Sequence, residues 1–473
     1  MKCKSILIYI LFIISFSSCK KDLGNYNYSP PTEPVVVNFK DNTFDALVGD
    51  TLVLQPYVEL KGADPIKDLT YDWEIIVEEE ARADHYTGYP LILVYNLAPR
   101  VRTAKLTITD KRNNIKYFYP FKISGNTRFS KGFTVLSVDG GITKLSFIKP
   151  DSVTVISNLY FALHGENLPS KPLQLFARPY PYQPGTAEDY WVISGDKDQQ
   201  SVIINGSTML RKRYFKDHFF APPATIAPEY FEAAKGTATG IINGKLYISI
   251  TQTAPFAEDW GKFSNPQSGD YVLSPYYSNT NNFYFGFDKK THAFVSFSNT
   301  GNYLGSEYTV NGNKFDPKNL GAGELLFMNA VPGTTYAFYK TEDGTVNELS
   351  FSIDMNEYFT KRVISPSYKR VFKGASLINA DTKWQRSDVD LFYFTSNDKI
   401  YRFNPINEDL RVLPVDFGGK KVSMLKLNGD GTELTAGIEG ALILIDVSVG
   451  SNFKTIKTIN GIPGTPVDVV SKN

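Results

Sequence analysis

Short stretches in which apolar and polar residues alternate dominate the part of the chain that follows position 34. In the segment YDWEI, the apolar residues Tyr71, Trp73 and Ile75 alternate with two acidic residues, and the segment TAKLTITD repeats the period of two. Such alternation is typical of strands that bury one face and expose the other. We therefore predict a β-sandwich over residues 35–125, with Trp73 in its core.

The rest of the chain carries a looser repeat of the same kind. Its unit is an apolar-x-apolar-x-apolar run that ends in Asp, Asn or Thr, as in LSFSID, YRFN, LILID, FYFGFD and LYISIT. Successive copies end 37 to 66 residues apart, a spacing that scatters around the ~40–50 residues of a propeller blade. We predict an all-β chain in which the sandwich is followed by a β-propeller-like domain of six to eight blades over residues 130–473. Stacked sandwiches are the alternative.

The amino terminus has the pattern of a secretory signal. Lys2 and Lys4 precede an apolar run over residues 6–16, and two serines then lead to Cys19. A charged start, a short apolar stretch and small residues before the cleavage point indicate a signal peptide and not a spanning helix. The stretch SFSSC resembles a bacterial lipobox, although a phenylalanine replaces the usual leucine. This resemblance implies a lipoprotein signal peptide over residues 1–18.

The same resemblance implies diacylation of Cys19. The alternative is an ordinary signal peptide with an incidental cysteine, which would leave the mature chain with one unpaired thiol in an oxidising compartment. Two or more acyl chains are enough for stable anchoring. Residues 19–34 therefore form the lipidated cysteine and a proline-rich linker. We expect a protein anchored by lipid to the outer membrane and exposed at the cell surface.

The order GDTLVLQP, YDWEI and TAKLTITD resembles the immunoglobulin-like PKD fold. Together with CKKDLGNYNY near the amino terminus, it makes the chain similar to the PKD-like lipoproteins of Bacteroidetes. The resemblance is close over about a quarter of the chain. It implies an accessory of a SusC/SusD-type nutrient importer, which binds a glycan or a peptide or docks onto the importer.

Charge and composition narrow the range of partners. Lys and Arg number 50 against 49 Asp and Glu, and the basic residues form no stripe. Binding to nucleic acid depends on such a stripe, so we expect no nucleic-acid partner. After Cys19 no apolar run approaches the ~18 residues of a membrane helix, so we expect contact with the membrane through the lipid alone.

Recognisable catalytic motifs are absent from the sequence. The four histidines stand far apart, without the spacing of a zinc site, and no P-loop, dinucleotide or Gly-x-Ser-x-Gly pattern occurs. We therefore expect no enzymatic activity, no metal and no cofactor. Two alternatives stay open: a propeller-type polysaccharide or peptide hydrolase or lyase whose acids converge only in the fold, and a purely structural or adhesive surface protein.

Two polar segments rich in aromatic residues are predicted to form binding surface. Residues 254–285 and the stretch FARPYPYQPGTAEDYW place Tyr and Trp among Asn, Ser, Gly and Pro. Flat rings beside polar groups suit sugars, peptides or another protein, and the alternative is that the rings pack between blades. The candidate contacts are Trp260, Phe263, Tyr271, Tyr276 and Tyr277 in the first segment and Tyr180, Tyr182 and Trp191 in the second.

Overall fold

The computed structural model is all-β. The residues that it describes are 32–39, 43–180, 183–196, 200–234, 237–253, 259–279, 283–329, 333–356 and 361–472. The predicted signal peptide and Cys19 lie outside these residues. Among the described residues, no helix combines the length and the apolar composition that crossing a membrane requires.

The amino-terminal strands form one large sheet and two strand pairs. The large sheet has the order β2-β9-β8-β5-β6, and β1 pairs with β4 and β3 with β7. The strands are β1 (Val35–Val36), β2 (Thr43–Leu47), β3 (Thr51–Leu54), β4 (Val58–Glu59), β5 (Leu69–Val77), β6 (Arg82–Thr87), β7 (Leu91–Val94), β8 (Val101–Asp110) and β9 (Ile115–Asn126).

Trp73 lies at the centre of β5 and is 1% exposed. Its ring packs edge to face against Phe39 at 5.5 Å and Phe121 at 5.9 Å between ring centroids. Its indole N–H donates to the carbonyl of Gly88 at 2.9 Å. The strand alternates buried and more exposed positions along its length, because successive side chains of a strand point to opposite faces. The prediction of a half-buried strand with a core tryptophan is confirmed.

Two compact units account for the chain. The first holds the described parts of Met1–Thr43, Val53–Leu93 and Thr103–Lys122. The second holds Phe44–Leu52, Val94–Arg102 and Ile123–Asn473. Two short segments from the amino-terminal strands, together with the end of β9, thus belong to the second unit. The division into domains at 35–125 and 130–473 stays a prediction.

Seven sheets follow one another in the described residues of the second unit, and we number them as blades in chain order. Blades 1 to 4 contain β10 (Gly132–Asp139), β11 (Ile142–Ile148) and β12 (Val155–Ile156); β13 (Pro172–Tyr180), β14 (Gln183–Ser194), β15 (Val202–Asn205) and β16 (Arg211–Tyr214); β17 (Pro228–Ala234), β18 (Thr237–Ile242) and β19 (Lys245–Ile248); β20 (Leu273–Asn279), β21 (Phe283–Asp288), β22 (Ala293–Ser298) and β23 (Tyr303–Gly305).

Blades 5 to 7 complete the series. They contain β24 (Thr309–Val310), β25 (Gly323–Asn329), β26 (Thr334–Thr341), β27 (Val346–Met355) and β28 (Arg362–Val371); β29 (Trp384–Arg386), β30 (Phe392–Ser396), β31 (Lys399–Asn404) and β32 (Asp409–Val412); β33 (Met424–Leu427), β34 (Glu433–Ile438), β35 (Ala441–Asp446) and β36 (Thr455–Asn460). The last strand, β37 (Thr465–Lys472), returns to blade 1. The helix α1 (Leu159–His164) and the 3₁₀ turns Glu78–Glu80, Phe215–His218 and Ala375–Leu377 are the described helical elements.

The blades close into a ring. The carboxyl-terminal β37 pairs with β10 and completes the sheet with which the domain begins. The inner strands of successive blades are neighbours. One series runs in the order β37, β13, β17, β20 and β25, and a second runs in the order β29, β33 and β37. Arg386 on β29 joins the two series by donating to the carbonyl of Asn329 on β25 at 2.7 Å. The domain is therefore propeller-like with seven blades, and the predicted fold class is confirmed.

Side chains satisfy the open backbone edges of the inner strands. Gln174 on β13 donates to the carbonyl of Phe231 on β17 at 2.8 Å and accepts from the N–H of the same residue at 2.9 Å. Gln385 bridges blades 6 and 7 by donating to the carbonyl of Leu425 at 3.2 Å and accepting from the N–H of Leu427 at 3.4 Å. Asp468 accepts from the N–H of Leu175 at 2.9 Å. These bridges replace the strand pairing that an inner edge lacks.

Candidate functional site

Four of the predicted contact rings are buried in the cores between strands and blades. Trp191 and Phe263 have no exposed surface, and their ring centroids are 5.9 Å apart. Tyr271 is equally buried, and its hydroxyl donates to a backbone carbonyl at 2.6 Å. Tyr277 is 4% exposed and shares a hydrogen bond of 2.7 Å with the Thr239 hydroxyl. Because at most 4% of each of these four residues is exposed, the structure does not support the predicted partner contact for them.

The other predicted contacts differ in position. Tyr180 is the last residue of β13, and its side chain, like all of Tyr182, lies outside the described residues. Trp260 is half-buried in the segment between β19 and β20. Tyr276 is half-buried on the inner strand β20, and its ring packs edge to face on Phe327 at 5.6 Å. Of the rings predicted from the sequence, Tyr276 is therefore one that lies near the axis of the propeller.

A group of polar side chains gathers around the axis, and we call it the channel cluster. Tyr230 on β17 is 38% exposed, yet desolvation, Glu232, Asp468 and Tyr276 together raise its pKa far above the ordinary value. Tyr230 and Tyr276 stand on the adjacent inner strands β17 and β20, close enough for their phenol groups to influence each other. The channel cluster consists of Tyr230, Glu232, Tyr276, Glu324, Lys426 and Asp468.

Glu232 is the acid of the channel cluster that the fold keeps neutral. Burial raises the pKa of its carboxyl to about 8, against a smaller opposite effect from a hydrogen bond with the backbone of Asn279. Its Oε1 is buried without a hydrogen-bond partner in the part of the chain that the structure describes. At neutral pH the group is therefore mostly protonated and can donate a hydrogen bond.

Asp468 has the opposite character. Its carboxylate accepts from Lys426 Nζ at 3.1 Å, from the N–H of Leu175 at 2.9 Å and from its own neighbour, the N–H of Val469, at 2.8 Å. Three donors engage both oxygens. This carboxylate therefore holds β33, β37 and β13 together, and little of its capacity is left for a ligand.

A second ionic group, the closed cluster, lies inside blade 2. Arg178 on β13 and Asp189 on β14 are cross-strand partners, and the Arg178 Nε donates to Asp189 Oδ2 at 2.9 Å. Lys212 Nζ donates to the other oxygen at 2.8 Å, and Glu188 lies 3.1 Å from Arg178 Nη2. Burial, with the positive charge of Arg178, lowers the pKa of the adjacent His218 to about 3. The side chains of Arg178 and Asp189, at the centre of the closed cluster, are only 4% and 2% exposed, so this pair serves the fold.

Metal ligation finds no support in the described residues. They contain no group of three or more His, Cys, Asp and Glu side chains placed to hold an ion. His164 accepts a hydrogen bond from the N–H of Arg211 through its Nε2 at 3.1 Å, and His218 is buried among aromatic rings such as Trp191, at 4.7 Å. These two imidazoles are therefore occupied by packing and hydrogen bonding.

Two of the solved structures that are similar to this chain come from Bacteroides species. A quinonprotein alcohol dehydrogenase-like protein from Bacteroides thetaiotaomicron is 14% identical and has a TM-score of 0.45, with 93% of this chain and 99% of that chain covered. A putative 6-phosphogluconolactonase from Bacteroides fragilis is 11% identical and has a TM-score of 0.43, with 72% and 98% covered. At these values the matches say nothing about activity.

Sequence comparison identifies the amino-terminal part of the chain. No curated protein matches the chain. The PKD-like family matches residues 19–172, a span that includes β1–β9, the strands β10–β12 of blade 1 and the helix α1. This region, about one third of the chain, is a PKD-like family domain.

Proposed function

We propose that the protein is a noncatalytic, lipid-anchored accessory of a SusC/SusD-type nutrient importer at the surface of the outer membrane, where it binds a glycan or a peptide or docks onto the importer. The PKD-like domain at residues 19–172 and the lipobox pattern at Cys19 support this proposal. The observation that carries it is the chemistry of the channel cluster, which suits contact and not bond cleavage.

Two features of the channel cluster favour binding. Tyr230 offers an accessible ring and hydroxyl, the combination with which proteins contact sugars and peptides. Glu232, two residues along the same strand face, is held neutral by burial and adds no desolvated charge beside the ring. Both groups lie on β17, a strand held on one side by Gln174, so the site is pre-organised.

The second candidate is a propeller-type hydrolase or lyase, and Glu232 is the observation that favours it. A carboxyl whose pKa is near 8 is protonated at neutral pH, as a general acid must be. Hydrolysis of a glycoside also needs a second, available carboxylate. Asp468 is engaged by three donors, which weighs against it in that role. The third candidate is a purely structural or adhesive surface protein, which the accessible site on β17 does not favour.

Two cell experiments test the proposal. Cells that carry the wild-type protein are labelled with an alkynyl fatty acid, and we expect label on the wild type and none on Cys19→Ala. The wild-type protein is then purified from native outer membranes, where we expect a SusC/SusD-type importer to copurify. A wild type without label would overturn the anchor, and purification without any importer would overturn the accessory role.

A further inference from the structure

A cleft of about 480 Å³ opens between blades 1 and 2 of the second unit. Ligand sites in proteins are commonly ~300–1,000 Å³ in volume. One wall is the β10–β11 turn at Gly141–Thr143, and the other comprises Gln200, Val202 and Tyr214 of blade 2. The chain from Glu166 to Ser170, which links α1 to β13, closes one side. The cleft is independent of the channel cluster because it shares no residue with it.

A carboxylate is fixed at the edge of this cleft. The Tyr160 hydroxyl donates to Glu166 Oε1 at 2.8 Å, and Arg211 forms an ion pair with the same oxygen. Arg211 Nη1 also donates to the Tyr160 hydroxyl at 3.0 Å. Both of the described contacts end at Oε1, and the Glu166 side chain is 44% exposed. The described contacts therefore leave Oε2 open as an acceptor, and Glu166 is one of the residues that line the cleft.

The groups that hold this carboxylate are themselves held. Tyr160 is 1% exposed, and its ring lies 4.5 Å from that of His164, between centroids. The His164 imidazole accepts from the N–H of Arg211 at 3.1 Å, and the Arg211 guanidinium lies 4.4 Å over the Tyr214 ring. Because each partner has its own support, the carboxylate is pre-organised without a ligand.

Charge decides which ligands suit the cleft. The positive charge of Arg211 already neutralises Glu166, and the described lining includes no other charged side chain. A cationic ligand gains little from a neutralised carboxylate, and an anionic ligand would meet Oε2. The remaining groups are the exposed amides of Asn167 and Gln200, which both donate and accept. Neutral hydroxyl groups are the chemistry that this set fits.

We propose that the cleft between blades 1 and 2 binds neutral carbohydrate, with Glu166 Oε2, Asn167 and Gln200 as the groups that contact the sugar hydroxyls. This inference rests on the proposed binding function, which it narrows from glycan or peptide to neutral glycan. It depends neither on the lipid anchor nor on the importer.

Calorimetric titration of the full chain carrying Cys19→Ala tests the inference. The probes are neutral oligosaccharides from xylan, mannan and β-glucan, anionic oligogalacturonides and cationic chitosan oligosaccharides. We expect binding of at least one neutral series and neither charged series. Glu166→Gln and Asn167→Ala should each weaken it about tenfold or more, because each variant loses a hydrogen bond to the sugar.

Glu307→Gln is the matched control. Glu307 forms a pair with Arg362 at 3.7 Å, far along the chain in the region of blades 4 and 5, and is 81% exposed. We expect the Glu307→Gln variant to have the same affinity for the neutral oligosaccharide and the same melting temperature as the parent. The Asn167→Ala variant should also have the melting temperature of the parent. That second variant keeps the test valid if Glu166→Gln disturbs the local packing.

Three outcomes would overturn the inference. If neutral glycan binds equally well to the parent, Glu166→Gln and Asn167→Ala, the cleft is not the binding site. Loss of that binding in Tyr230→Ala would then assign the glycan to the channel cluster and leave the proposed function intact. Binding of only a charged series or a peptide would reject the neutral class. Absence of all binding, together with absence of an importer in native membranes, would reject the proposed function as well.

Discussion

Two ionic groups on neighbouring residues of one strand differ in what they can do. Arg211 and Lys212 are consecutive on β16, so their side chains leave opposite faces of blade 2. Lys212 joins the closed cluster with Asp189, whose side chain is 2% exposed. Arg211 pairs with Glu166, whose side chain is 44% exposed beside the cleft. The same chemistry serves the fold on one face and is available to a ligand on the other.

The difference lies in how many contacts remain open. In the closed cluster both Asp189 oxygens meet a cation, Arg178 Nε at one and Lys212 Nζ at the other. In the cleft the described contacts all end at one oxygen of Glu166. A fully paired carboxylate has no acceptor position left for a partner, whereas a carboxylate supported from one side can accept a further hydrogen bond.

The largest expected effect separates the two groups by stability. Asp189→Asn removes the buried carboxylate between Arg178 and Lys212 and leaves these cations with Glu188 alone. We expect it to cost ~3–5 kcal/mol in the free energy of unfolding. Glu166→Gln breaks a largely exposed pair and should cost at most ~1 kcal/mol. Denaturant unfolding of both variants at neutral pH measures the difference. Equal losses would mean that the two clusters are not distinguished by burial.

The next effect concerns the channel cluster and appears as pH rises. Because the folded-state pKa of Glu232, about 8, lies above its ordinary value, the folded protein keeps a proton that the unfolded chain releases. Stability should therefore fall between pH 5 and pH 8, and Glu232→Gln should remove on the order of 3 kcal/mol of that fall. Unfolding of the parent and the variant at the two pH values measures it. An unchanged slope would show that Glu232 is ionised in the folded state.

The closed cluster predicts a smaller effect of the opposite sign. The pKa of His218, about 3 in the fold, lies below its ordinary value, so the unfolded chain takes up a proton that the folded protein refuses. Stability should fall as the pH drops below about 6.5, and His218→Phe should remove about 2 kcal/mol of the loss between pH 7 and pH 5. Thermal melts at both pH values measure this. The same acid sensitivity in the variant would assign the loss to other groups.

Much of the fold could be predicted from local pattern. The alternation around Trp73 identified its strand and its burial, and repeated strand endings identified a propeller of six to eight blades. The exact number of blades could not be predicted because it depends on which strands pair. The hydrogen bonds that link neighbouring blades, such as Gln174 to β17 and Asp468 to β13, also join residues far apart in the sequence. Such contacts leave no local periodicity.

The candidate sites were harder to predict for the same reason. Trp191 and Phe263 stand in polar, Gly- and Pro-rich segments, yet both rings are buried, and Trp191 lies on β14 between two paired strands of blade 2. Composition does not distinguish a ring that covers a core from a ring that awaits a ligand. Tyr160, Glu166 and Arg211 form one network although 45 residues separate the last two, and no sequence signal joined them. In the same way, no feature of the sequence distinguishes the partially exposed Tyr230 from the other tyrosines among the 29 in the chain.

The most direct test of binding without catalysis is one titration followed by product analysis. The full chain carrying Cys19→Ala is mixed with neutral oligosaccharides, the heat of binding is recorded, and the sugars are then separated by chain length after prolonged incubation. The account predicts saturable binding and an unchanged length distribution. Shortened or unsaturated products that disappear in Glu232→Gln would contradict it and identify the protein as a propeller-type hydrolase or lyase.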